Sequence, residues 1–133
     1  MNCSYIRVSV LVILAVINAP AKEKAGPQIY SDVRYVAEGG GPGDLVGTEL
    51  QLKIEGTEAT GILRIYQGGC AEQVRVIGSF SGNTVHVSGD GQGYGKVEIT
   101  GKLQHGRLDG VLRLERDHSS QKIRLKRTSK PHC

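Results

Sequence analysis

The sequence predicts an all-β protein, a small antiparallel up-and-down (meander) β-barrel of seven or eight strands behind a cleaved signal peptide. Three observations carry this. Apolar residues recur with a period of two from Leu45 onward, which marks strands buried on one face. Turn residues break the alternation at roughly the eight-to-twelve-residue spacing of meanders, sandwiches and barrels. Glycines fall inside the strands, in phase with the apolar side chains.

The N-terminus sets the compartment. Arg7 precedes an apolar run from Val8 to Ile17, and Ala19-Pro20-Ala21 follows. A positive start, a short apolar stretch and an Ala-x-Ala end form the secretory signal pattern, with cleavage expected after Ala21. A membrane-crossing helix needs roughly twenty apolar residues, more than this run supplies. Residues 1–21 are therefore read as a signal peptide that takes Cys3 with it, and the protein as periplasmic or secreted. The mature chain is expected to have no transmembrane span.

Residues 22–44 form an N-terminal segment and a Gly-rich linker, Gly39 to Asp44. Ile29, Val33 and Val36 have helical spacing, with Pro27 in front and Gly39 behind, whereas Val33 and Tyr35 favour a strand. A short helix remains open, but the segment is read as a first strand, which would complete eight. Residues 45–133 are the barrel domain. Its strands are expected at Val46 to Glu55, Thr60 to Gln67, Gln73 to Phe80, Thr84 to Ser88, Gly95 to Gln104, Arg107 to Arg116 and Lys122 to Thr128.

Gly61, Gly78, Gly101 and Gly110 each share the inward phase of their strand. Glycine there weakens a flat strand but permits the sharp bend at which a sheet coils closed. The remaining inward positions are Val, Leu and Ile with a single Phe, Phe80, so a packed interior without a large ligand cavity is expected.

Cys70 and Cys133 survive processing, and an even pair in an oxidising compartment is read as a disulfide. Pairing within one chain and pairing between chains both satisfy the sequence. The formal net charge of +4 is too mild and too dispersed for a nucleic-acid binder, which concentrates its cations on one face. The exception is the C-terminus, where Lys122, Arg124, Lys126, Arg127 and Lys130 crowd together. Two readings apply to them: a solvated strand face with a tail, or a patch that binds anionic surface material.

Gly89-Asp90-Gly91-Gln92-Gly93-Tyr94-Gly95-Lys96 looks at first like a phosphate-binding loop. A P-loop needs a helix after it, and here Lys96 runs into the strand Val97-Glu98-Ile99. A hairpin turn is the better reading, and no nucleotide or other cofactor is expected. Tyr94 on this turn, with Ser88 before it and Lys96 and Lys102 after it, makes a candidate binding loop, since barrel-end loops collect binding residues. The alternative is that Tyr94 covers the end of the barrel.

The arrangement Ser88-Gly89, then Tyr94, then Lys102 resembles the small exported bacterial β-barrel inhibitors of C-type lysozymes, whose loops enter the lysozyme cleft. That resemblance implies a protein partner, a lysozyme, with Ser88 and Lys102 as the inserted residues. The chain departs from the pattern in the extra residues between Ser88 and Tyr94, in Leu103 after Lys102 where the family has Gly, and in the absence of Trp.

No enzyme is expected. His86, His105, His118 and His132 fall on an outer strand face, in two turns and in the tail, without a placed nucleophile. Glu98, Asp109 and Glu115 lie on the polar phase among Lys and Arg, where cross-strand pairing is their ordinary role. His132 beside Cys133 lacks zinc-ligand spacing, so no metal is expected either. The sequence therefore predicts an exported binding module, monomeric or weakly dimeric, with a protein partner. The alternatives are an envelope-associated module that binds anionic surface material through the basic C-terminal strand, and a structural accessory protein.

Overall fold

A computed structural model describes residues 26–36 and 44–133. The expected signal peptide, residues 1–21, and the glycines at 39–41 lie outside the described residues.

The period-two segments form antiparallel strands: β1 (Gln28–Ser31), β2 (Arg34–Val36), β3 (Asp44–Glu55), β4 (Glu58–Gly68), β5 (Gln73–Ser81), β6 (Thr84–Gly91), β7 (Gly95–Gln104), β8 (Arg107–Leu114) and β9 (Ser119–Thr128). From β3 to β9 each strand pairs with the next. β1 then pairs with β3 on one side (Tyr30 opposite Leu50) and with β9 on the other (Tyr30 opposite Arg127). This closes an eight-stranded meander barrel.

The ambiguous N-terminal segment is strand, interrupted in the middle. β1 and β2 keep one register along β3, Ser31 opposite Glu49 and Arg34 opposite Val46. Between them the Asp32 carboxylate accepts the Thr48 N–H at 2.6 Å, and Gly47 takes a φ of 132°, which an L side chain rarely adopts.

Short turns join neighbours because their residues supply the backbone they require. Gly82 opens the β5–β6 hairpin at φ 60°, and His105-Gly106 takes positive φ at both positions, the twist that matches paired strands. The bend-forming role of the inward glycines is visible at Gly78, where a Cβ would land on the carbonyl oxygen of His86 in β6. Gly101 and Gly110 face each other across β7 and β8, with the added Cβ of Gly101 reaching 2.8 Å from the Asp109 carbonyl.

Inward residues from all eight barrel strands pack into one cluster. Leu50, Leu63, Val85, Val87, Val97, Ile99, Leu108 and Leu125 are fully buried in it. Phe80 and Leu103 pack against the cluster near one set of turns, and Tyr94 packs against it near the other.

Candidate functional site

β6 continues to Gly91, so most of the glycine-rich run is ladder and only Gln92, Gly93 and Tyr94 form the turn. Ser88 faces outward opposite Glu98, and Lys96 stands opposite Asp90 at the start of β7. Lys102 lies opposite Thr84, six residues farther along β7, or roughly 20 Å at strand rise. The fold thus brings Ser88, Tyr94 and Lys96 to one half of the barrel and puts Lys102 toward the other, next to Asp109.

The turn itself is braced. The Glu72 carboxylate accepts the Gln92 N–H at 2.8 Å and the Gly93 N–H at 3.3 Å, while Arg116 Nη1 donates to the Gln92 and Gly93 carbonyls at 3.0 and 3.1 Å. Three loops at this end are therefore tied together through one turn. Burial of the Tyr94 ring against the core, with Glu72 and Asp117 nearby, pushes its phenol above the ordinary value. Its ring covers the barrel end.

A second cluster has no counterpart among the expected site residues. Glu49 and Tyr66, on the outward phase of β3 and β4, are almost wholly buried, as is Arg64 beside them. What covers them is the tail. After Thr128 the chain crosses the outside of β1 and β3 to place His132 over Glu49 and to join Cys133 to Cys70 in a disulfide, Cα atoms 5.7 Å apart. Glu49 Oε1 meets His132 Nδ1 at 2.7 Å and accepts the His132 N–H at 3.3 Å. Glu49 Oε2 accepts the Tyr66 hydroxyl at 3.0 Å and lies 3.6 Å from Arg64 Nη1.

Burial pushes the Tyr66 phenol up to about 12, aided by its hydrogen bond to Glu49 and the charge there. The Tyr66 ring meets His132 edge-on at 6.2 Å. Arg64 also reaches Gln51 Oε1 at 3.5 Å, yet its buried Nε has no hydrogen-bond partner. A carboxylate in this position, with both oxygens engaged, acts as a fastener for the tail. Sequence phase alone places Glu49 and Arg64 on a wet surface; the Cys70–Cys133 pairing was the one signal that something must cross there.

The outward face of β8 and β9 is the opposite case. Arg107 stands directly across from Lys126, Asp109 from Arg124, and Val111 from Lys122. All four cations are exposed, and among the described residues none has a carboxylate within 4.0 Å. Arg107 and Lys126 set like charges against each other across the ladder, which is mildly destabilising, while Arg124 faces Asp109 without closing an ion pair among the described residues. Lys122, Arg124 and Lys126 recur along one face at about 6.8 Å intervals. No group of acidic, His and Cys side chains able to hold a metal ion occurs among the described residues.

No protein-family model, no curated protein and no solved structure matches this chain.

Proposed function

We propose that this protein is an exported binding module that holds an anionic partner of the cell envelope on the outward face of β8 and β9. The observation that carries this reading is the set Arg107, Lys122, Arg124 and Lys126, with Asp109 the single acid between them and no ion pair within reach among the described residues. A solvated row of cations attracts a polyanion over about a Debye length and releases its counterions on contact. Binding to dextran sulfate, followed by titration calorimetry, tests it. Affinity should fall at least about tenfold between roughly 50 and 300 mM salt, and Lys122→Glu with Lys126→Glu should abolish it. Binding that is indifferent to salt, or to both substitutions, removes the proposal.

A second reading is favoured by the braced turn. Glu72 and Arg116 hold Gln92 to Tyr94 in one conformation, and a preorganised tip loses little entropy on docking. On the resemblance to lysozyme inhibitors, this tip with Ser88 and Lys96 is the part that would enter a hydrolase cleft, leaving Lys102 outside the contact. Lytic assays with a panel of lysozymes decide it: no inhibition at micromolar protein ends this reading and leaves the first untouched.

A further inference from the structure

Along part of one seam the ladder that closes the barrel is interrupted among the described residues. β9 pairs with β1 only from Lys126 to Thr128; from Ser119 to Leu125 its second edge has no partner strand among the described residues, because β2 follows β3 away from it. The direction of the backbone groups is fixed. The Arg127 N–H donates to the Gly106 carbonyl across the β8–β9 ladder. Alternation along an unbroken register then points the N–H and C=O of Ile123 and Leu125 toward β8, and those of Ser120, Lys122 and Arg124 into the seam. The residues that present cations outward are thus the ones whose seam-facing main-chain donors and acceptors have no partner strand among the described residues.

We infer that this edge accepts an extended acidic peptide, which adds to β9 as an antiparallel strand. The inference rests on the anionic-partner reading and narrows it to a polypeptide. Main-chain bonds to Lys122 and Arg124 supply the docking, and the guest's outward side chains fall beside the two cations, where carboxylates fit. Its alternate side chains fall on the phase of Ile123, the side of the sheet that carries the apolar residues, and apolar residues suit them. A second copy of the same edge is the wrong occupant, because it would set Lys122 and Arg124 against themselves. Exposed lysine on an edge strand is a recognised guard against such self-pairing, so an acidic stranger is the guest this edge selects.

The test uses a fluorescent ten-residue peptide alternating Glu and Val, the same peptide N-methylated at every second residue, and dextran sulfate, with hydrogen exchange read on the full protein. In the free protein the amides of Ser120, Lys122 and Arg124 should exchange fast while those of Ile123 and Leu125 are protected. The plain peptide should bind, slow Lys122 and Arg124 exchange at least about tenfold, and lose at least about tenfold in affinity when N-methylated at the donors that face β9. Arg124→Pro should weaken binding more than Arg124→Ala, since both remove the charge and only proline removes the seam-facing N–H. Equal binding by the N-methylated peptide, or protection of Lys122 and Arg124 in the free protein, overturns strand addition. Dextran sulfate binding without peptide binding overturns the peptide and leaves the anionic reading in place; failure of both ligands overturns both.

Discussion

Two outer faces of one barrel treat charge in opposite ways. On β3 and β4, Glu49 and Arg64 are drawn out of water beneath the tail, where Tyr66 and His132 complete the carboxylate's contacts. On β8 and β9, Arg107, Lys122, Arg124 and Lys126 stay in solvent without a mate among the described residues. Both sets occupy the polar phase of their strands, so alternation makes them equivalent. Coverage separates them. Under a cover, each polar atom must find a partner or cost free energy, while in the open the same charges are nearly neutral to stability and are available to something else.

The sharpest way to break this contrast is Glu49→Ala. It strands a guanidinium and a phenol in a buried site, and loss of about 3–5 kcal/mol is expected in urea denaturation. A loss within the range of surface substitutions would mean that the tail does not hold the cluster out of water. Next comes the disulfide. Cys70→Ser frees the end of a loop with a sequence separation of 63, for which about 2–4 kcal/mol is expected. The tail should then release, exposing Glu49 to solvent and speeding exchange at the His132 amide.

Alkaline pH acts on the same face. The Tyr66 phenol, with an ordinary value near 10.0, is pushed up to about 12 in the folded state. The stability it contributes is fully present below pH 10.0 and is lost as pH rises through about 12, since the unfolded chain gives up that proton first. Thermal midpoints followed over this window should fall, and fall less in Tyr66→Phe; equal slopes would dissociate Tyr66 from the effect. The smallest change belongs to the open face. Lys126→Glu sets a carboxylate across from Arg107 and should raise stability by about 0.2–1 kcal/mol while weakening anion binding. Destabilisation there would show that the lysine has a packing role.

Much of the barrel was legible because its strands obey one rule. Leu50, Leu52, Val74, Val76, Val85 and Val87 alternate as they must if one face is buried, and the inward glycines mark where backbones crowd. The first strand was legible in its β-favouring residues, though Ile29, Val33 and Val36 also fit a helix; its interruption at Asp32, bonded to Thr48, is a tertiary contact that no local pattern shows. The fastened cluster was hidden for the same reason. Glu49 and Arg64 look like any outward pair until residues 129–133 cross over them. Of the expected site residues, Ser88, Tyr94 and Lys96 could be placed from the hairpin alone, whereas the distance to Lys102 depends on where the β6–β7 turn falls.

The pairing of Ile29 with Thr128 has a consequence for how the molecule is made. A ring cannot be joined until its final segment exists, so during synthesis β1 can pair at once with β3 while its other edge must wait for residues nearly a hundred positions downstream. Until then the growing sheet carries a raw margin at each side, open to the wrong neighbour. A contact this remote in sequence carries a larger loop-closure cost than any of the hairpins, so this seam is the last to shut and its margins stay exposed longest.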